Sequence, residues 1–169
     1  YARCVHARNA EQLALRALRD HGGIRRTETL AAQIAISLGY LRAGGWKELL
    51  PQLRTLEKPH RRRAEQRAAD QLAAAFKGIG PKQSRNVLQF LGLTRYEIPI
   101  DSRVTSWLND FGFPLHLSAQ ALSDPHYYAF VSAGVQALCK RAGVLPCILD
   151  AAIFASFDEE VWPEGSVAW

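Results

Sequence analysis

Apolar residues recur at intervals of three to four positions along most of the chain, and no stretch alternates apolar and polar residues as a strand would. The clearest case is the series Ala64, Ala68, Leu72 and Phe76, in which an apolar residue returns at every fourth position. This spacing places all four on one face of a helix. We therefore predict an all-α fold, with about nine or ten short helices.

The helix that ends near Phe76 is followed by two glycines and then by a proline. Gly78 and Gly80 can adopt backbone angles closed to other residues, so this stretch predicts a very tight turn. Pro81 suits the first position of a new helix because its φ angle is already helical. Apolar residues then fall on one face of that helix, at Val87, Leu88 and Leu91. The predicted unit is a helix, a glycine turn and a second helix.

The glycine turn and Lys82 together suggest more than a connection between helices. A helix N-terminus carries partial positive charge and free N–H donors, which bind phosphate oxygens. Two glycines alone are most often an ordinary helix–helix turn, and that alternative stands beside the phosphate site. Lys82, however, lies in the first turn of the new helix, where a cation opposes the helix dipole. A residue that costs stability at such a turn points to function.

The stretch Gly78-Ile79-Gly80-Pro81-Lys82 resembles the turn of the helix-hairpin-helix DNA glycosylases, in whose bifunctional members a lysine follows the G-[IV]-G turn by two residues. Those members carry an aspartate after a later apolar run that contains proline. Here that run is Ile98-Pro99-Ile100-Asp101, and Asp101 follows Lys82 by 101 − 82 = 19 residues. The glycine turn, the lysine and the aspartate at this spacing indicate the family together far more specifically than any one of them does alone.

The resemblance implies a single domain over residues 1–169, with two helical lobes and a helix-hairpin-helix motif at the DNA-binding cleft. It implies a bifunctional DNA glycosylase and AP lyase of base excision repair that removes an oxidised purine, chiefly 8-oxoguanine. Lys82 is the expected nucleophile, forming a Schiff base so that the strand is cleaved by β-elimination. Asp101 is expected to stabilise positive charge on the sugar. Its position before a predicted helix also gives it the expected role of N-cap.

The resemblance assigns further residues to DNA contacts. Gly78 and Gly80 would offer backbone N–H groups to phosphate. Arg103 lies two positions after Asp101, where related enzymes often place a phosphate-binding side chain. Gln33 belongs to a segment similar to the one from which a polar residue, often Gln, reaches the DNA or the base pocket in these enzymes. The alternative for Gln33 is an ordinary solvated position on a helix.

Asp150 and Phe154 are one turn apart on the predicted last helix, which starts near Pro146. An acidic group among apolar residues is costly unless it is paired. The segment resembles the L-D-x-x-x-[aromatic] pattern of the smaller 8-oxoguanine glycosylases that lack an iron–sulfur cluster. In those enzymes the acid and the ring help to hold the extruded guanine. The alternative is that Asp150 caps a neighbouring helix and Phe154 belongs to the core.

Composition and charge fit this interpretation. Lys and Arg outnumber Asp and Glu by 21 − 16 = 5, which suits double-stranded DNA containing a damaged base as the partner. The densest basic run, residues 58–63, is interpreted as a solvated helix start rather than a phosphate contact, because a whole helix separates it from the glycine turn. Cys4, Cys139 and Cys147 are too few and too scattered for an iron–sulfur cluster, and we expect them to be small core residues.

The remaining expectations concern cofactors and location. No metal-ligand spacing is present, so we expect neither a metal nor another cofactor. No apolar run is long enough to span a membrane and no signal peptide is visible, so we expect a monomer in the cytoplasm or at the nucleoid, or in the nucleus of a eukaryote. The chain begins at Tyr1 and contains no Met, so we expect a processed or trimmed product.

Two alternative functions stay open. A glycosylase for oxidised pyrimidines is the nearest alternative within the family, and it is disfavoured by the lack of iron–sulfur cysteines together with the presence of Asp150 and Phe154. A non-enzymatic helix-hairpin-helix module that only binds the DNA backbone is the alternative from another class. Such a module would have no reason to keep Lys82 and Asp101 at this spacing.

Overall fold

The computed structural model describes residues 9–57 and 59–158. Within these ranges the chain forms helices and connecting turns without a strand, which confirms the predicted all-α class. The helices are α1 (Ala10–His21), α2 (Thr27–Tyr40), α3 (Trp46–Arg54), α4 (Arg62–Ala75), α5 (Pro81–Phe90), α6 (Ser102–Phe111), α7 (Pro125–Ala142) and α8 (Pro146–Ser156). A π-helical turn, Leu41–Gly45, joins α2 to α3, and a 3₁₀ turn, Ala121–Ser123, precedes α7.

Aspartates cap the starts of two helices, and the cap at Asp101 is the one that the sequence predicts. Asp101 caps α6, since its Oδ1 accepts the backbone N–H groups of Arg103 at 2.9 Å and Val104 at 3.0 Å. Asp124 caps α7 by accepting the N–H of Tyr127 at 2.8 Å. A short acidic side chain thus accepts from two of the free donors at the start of α6 and from one at the start of α7.

The buried apolar residues form two clusters. The first cluster lies on α3, α4 and α5 and the turn after α3; it contains Leu49, Leu56, Ala68, Ala69, Leu72 and Leu88. The second cluster combines the segment before α6 with α6, α7 and α8; it contains Ile98, Ile100, Val104, Leu108, Leu117, Leu122, Tyr128, Val131, Val135, Cys139 and Ile153. The candidate nucleophile therefore begins a helix of the first cluster, while the candidate aspartate begins a helix of the second.

The connection between α5 and α6 is fastened to α4 by a buried carboxylate. Glu65 of α4 is fully buried. It accepts the hydroxyl of Thr94 at 2.6 Å and the backbone N–H groups of Arg95, Tyr96 and Glu97 at 2.7–3.1 Å. These donors belong to a segment without helical hydrogen bonds of its own, so Glu65 supplies the partners that the buried backbone needs.

Arg85 of α5 completes this buried polar network. Its side chain is only 2% exposed. The guanidinium donates to Glu97 Oε2 at 2.9 Å, to Asp70 Oδ1 at 2.9 Å and to the Pro81 carbonyl at 3.3 Å. The other Glu97 oxygen accepts from Gln136 Nε2 of α7 at 2.8 Å. The network of Glu65, Arg85 and Glu97 thus joins α4, α5 and α7 to the segment that leads to α6.

The glycine turn between α4 and α5 differs in one respect from the sequence prediction. Gly78 has a φ angle of +81°, in the region that favours glycine. Gly80 is extended, with φ −90° and ψ −173°, which other residues also adopt. The prediction of a special backbone is therefore right for Gly78 and wrong for Gly80. Only Gly78 is packed tightly, because a methyl group there would overlap the Gln33 side chain.

We expect Gly78→Ala to lower the free energy of unfolding by about 1–3 kcal/mol, because alanine is strained at this φ angle. Gly80→Ala is the matched control. We expect it to cost less than about 1 kcal/mol, since only a helix N-cap is weakened. Equilibrium unfolding in urea measures both values. Equal losses would show that the turn does not depend on the left-handed conformation of Gly78.

Candidate active site

Lys82 and Asp101 line the same cavity, although 19 residues separate them in the sequence (101 − 82). The cavity has a volume of about 390 Å³. One wall is the start of α5, and the opposite wall is the start of α6 with the 3₁₀ turn; the lining residues are Gly80, Pro81, Lys82, Gln83, Ile100, Asp101, Ser102, Thr105, Ala119, Leu122 and Ser123. Two helix N-termini, both sources of N–H donors, therefore meet at this cavity.

Lys82 is the second residue of α5 and is partly exposed. It makes neither a hydrogen bond nor an ion pair with the residues that the structure describes. The start of α5 also has no side-chain cap. The amine is thus not occupied by a structural partner in the described part of the chain.

Asp101 uses its two carboxylate oxygens differently. Oδ1 is the N-cap of α6, as described above, and fixes the side chain. Oδ2 lies 3.8 Å from Arg103 Nε, and the side chain is 29% exposed. One oxygen is therefore structural, and the other reaches the surface. A carboxylate anchored in this way is positioned before any substrate arrives, which is what electrostatic stabilisation of a developing cation requires.

Arg103 contacts protein groups that also belong to the candidate site. Its guanidinium carbon lies 4.1 Å from the centroid of the Phe154 ring, a cation–π distance. Its Nε is the group near Asp101 Oδ2. The side chain is 41% exposed, so it also faces solvent. In this arrangement Arg103 covers one face of the ring that the sequence assigned to base stacking.

Asp150 lies on α8 and accepts a hydrogen bond from Gln89 Nε2 of α5 at 2.6 Å. Burial raises the pKa of the Asp150 carboxyl, the Gln89 hydrogen bond lowers it, the charge of Asp101 raises it and Arg103 lowers it, with burial the largest effect. Asp150, Asp101 and Arg103 are therefore close enough to influence one another. The structure brings these three and Phe154 together at the start of α6 and on α8, whereas their role in holding a base stays a prediction.

Gln89 is a site residue that the sequence interpretation missed. It follows Lys82 by 89 − 82 = 7 residues, two helical turns, so it lies on the same side of α5. The seven-residue spacing from Lys82 is the sequence signal that could have identified Gln89. The interaction itself joins residues 61 apart in the sequence, so no local pattern indicates it.

Gln33 lies at the glycine turn but not in the cavity of Lys82 and Asp101. Its side-chain amide packs against Gly78. It lines a separate, mostly apolar cavity of about 250 Å³ with residues of α2 and the turn, among them Leu30, Ile34, Phe76 and Ile79. The contact of Gln33 with DNA stays a prediction, and the structure locates this residue beside the turn rather than beside the candidate nucleophile.

Other sequence expectations have mixed outcomes. Cys139 and Cys147 are buried free thiols, which confirms them as small core residues, whereas Cys4 lies outside the described residues. In the basic run, Lys58 also lies outside them, and Arg61, Arg62 and Arg63 are exposed. Among the described residues, no group of three or more His, Cys, Asp and Glu side chains is arranged to hold a metal ion. No described helix is both long and apolar enough to cross a membrane.

Comparisons of the chain with protein-family models, with curated proteins and with solved structures give no match. The interpretation of the site therefore depends on its residues and geometry, and on the resemblance carried by the glycine turn, Lys82 and Asp101.

The raised pKa of Asp150 predicts a pH-dependent effect of Asp150→Asn on stability. Above the folded-state pKa the parent holds a carboxylate that burial disfavours, so the variant should be more stable near pH 7. Below the ordinary value of 3.8 both states of the parent are protonated, and this advantage should disappear. Urea unfolding of both proteins between about pH 3 and pH 7.5 measures the difference. A difference that does not change with pH would contradict the prediction.

Proposed function

We propose that this chain is a bifunctional DNA glycosylase and AP lyase that removes 8-oxoguanine from double-stranded DNA. The observation that carries the proposal is the shared cavity of Lys82 and Asp101. A free amine and an anchored carboxylate facing one cavity are the two groups that lysine-dependent base excision needs.

The arrangement of the helices also supports the proposal. In our interpretation the two hydrophobic clusters are two helical lobes, and α4, the glycine turn and α5 form a helix-hairpin-helix motif at the cleft between them. The uncapped start of α5 would bind a DNA phosphate through its backbone N–H groups. Phosphate contacts of this kind hold the strand without reading its sequence.

In the proposed reaction, the damaged nucleotide is first extruded from the duplex, which costs a few kcal/mol. The neutral amine of Lys82 then attacks C1′ of the sugar, the new N–C1′ bond forms and the bond from C1′ to the base breaks. Asp101 Oδ2 stabilises the positive charge that develops on the sugar. The departing base takes up a proton, and the lysine nitrogen loses one. Opening of the sugar breaks the C1′–O4′ bond, O4′ takes up a proton and a Schiff base forms. Loss of a C2′ proton then breaks the C3′–O3′ bond by β-elimination, which releases the 3′ phosphate and cleaves the strand.

Base recognition is proposed to use Asp150 and Phe154. Gln89 occupies Asp150 Oδ2, whereas Oδ1 accepts no hydrogen bond from the described residues. Oδ1 can therefore accept from the N1–H and N2–H groups that guanine and 8-oxoguanine present on one edge. Phe154 is 41% exposed and offers a surface for stacking. Because Arg103 covers one face of the ring, the base must use the opposite face or displace the guanidinium.

We expect Lys82→Gln to abolish strand cleavage at an abasic site and covalent trapping by borohydride, because only a lysine Schiff base is reduced to a stable adduct. DNA binding should stay within about tenfold of the parent, or about 1.4 kcal/mol, since the turn supplies most of the contact. Lys77→Gln is the matched control, as Lys77 is an exposed lysine of the same turn that should be dispensable for trapping. Retained trapping by Lys82→Gln would refute the assignment. Binding by the parent without any trapping would support the non-enzymatic module instead.

We expect Asp150→Ala to lose most 8-oxoguanine excision and to keep strand cleavage at a pre-formed abasic site, because recognition of the base is lost while Lys82 is unchanged. Asp110→Ala, which removes an exposed acid of α6, is the control and should match the parent in both assays. Single-turnover assays on duplexes with 8-oxoguanine, thymine glycol or an abasic site separate the steps. Parent-like excision by Asp150→Ala, or faster excision of thymine glycol than of 8-oxoguanine by the parent, would refute the pocket and favour a pyrimidine-specific enzyme.

A further inference from the structure

We propose that Tyr128 of α7 is a positioning residue for Asp101, an inference that rests on the proposed function because it assigns Asp101 its part in catalysis. The Tyr128 hydroxyl donates a hydrogen bond to the Ile98 carbonyl at 2.9 Å and accepts one from the Ile100 N–H at 2.8 Å. A single oxygen therefore holds the backbone on both sides of Pro99, immediately before Asp101.

The backbone at this point depends on those two bonds. Ile98 and Ile100 are 1% and 2% exposed, so their polar backbone groups have no access to bulk water. The segment belongs to no helix, and Pro99 has no N–H to offer. The Pro99 carbonyl accepts a hydrogen bond from the Asp101 N–H at 3.1 Å. This bond extends the constraint on the backbone to Asp101 itself. Without the hydroxyl, a buried acceptor and a buried donor lose their partners.

Tyr128 is itself a rigid anchor. The residue is 1% exposed and belongs to the second cluster. The guanidinium of Arg85 lies 4.9 Å from the centroid of its ring. Burial raises the pKa of the Tyr128 hydroxyl well above its usual range, so the group stays protonated and can donate to Ile98. The anchor thus connects the buried polar network to the turn that begins α6.

Tyr128 affects the position of Asp101 rather than the reacting atoms directly. Tyr128 is absent from the lining of the cavity that contains Lys82 and Asp101, so it acts through Asp101. Stabilisation of a developing cation depends on where the carboxylate is held, and a displacement of about 1 Å can cost about 100-fold in rate. Removal of the hydroxyl should therefore lower the rate of the chemical step while the affinity for DNA is kept.

The test is Tyr128→Phe, which keeps the ring and its packing and removes only the hydroxyl. In single-turnover excision of 8-oxoguanine we expect the rate constant to fall by about tenfold with unchanged amplitude and unchanged Kd for the duplex. Tyr127→Phe is the matched control, because Tyr127 also packs against the second cluster and its hydroxyl has no partner among the described residues. All assays are run below the thermal transition of the least stable variant. A loss of folded protein would lower the amplitude, whereas a displaced Asp101 lowers the rate constant.

The double variant Tyr128→Phe/Asp101→Asn isolates the route of the effect. If Tyr128 acts through Asp101, the added loss in the Asp101→Asn background should be within about twofold. A rate constant of Tyr128→Phe within about twofold of the parent would overturn the inference, as would a tenfold loss that persists in the Asp101→Asn background. If the parent and Tyr127→Phe show no excision on any duplex, the proposed function fails and the inference fails with it. Normal parent activity with an unaffected Tyr128→Phe refutes the inference alone.

Discussion

The fully buried carboxylate of Glu65 is the interaction on which the arrangement of the site depends. Removal of an ion from water costs several kcal/mol, and only good partners offset that cost. Glu65 accepts one hydroxyl and three backbone N–H groups from residues 94–97, and hydrogen bonds to a charged group contribute about 1.5–3 kcal/mol each. The same bonds satisfy a backbone segment that has no helix to join. Loss of the carboxylate would therefore release the whole connection between α5 and α6.

Arg85 extends this constraint to both sides of the cavity. It holds the Pro81 carbonyl in the first turn of α5, one residue before Lys82, and it pairs with Glu97, four residues before Asp101. The starts of two helices from different hydrophobic clusters are thereby fixed relative to a single guanidinium. A planar group with five donors suits the four acceptors around Arg85, whereas a lysine has only three donors. The network thus fixes the backbone that carries the candidate catalytic pair, whereas the Lys82 side chain itself has no partner among the described residues.

The sequence predicted features that depend on neighbours along the chain. Helical periodicity, the Asp101 cap and the start of α8 all follow from short-range rules, and the structure has them. The burial of Glu65 and Arg85 could not be predicted, because both are polar positions on amphipathic helices. The partners that join them to other elements lie 12–32 residues away. The extended backbone of Gly80 could not be predicted either, because a glycine permits a special backbone conformation without requiring it.

In the proposed function, the position of Arg103 would link DNA binding to the opening of the site. In the structure its guanidinium lies near Asp101 Oδ2 and covers a face of Phe154. A DNA phosphate offers arginine bidentate charged acceptors, as a carboxylate does and an aromatic ring does not. In the proposed complex, an Arg103 that turns to the backbone would uncover the Phe154 ring and leave Asp101 free to face the sugar. The same movement would take positive charge away from Asp150, so the edge donors of guanine would then add to the Gln89 hydrogen bond in compensating that partly buried carboxylate.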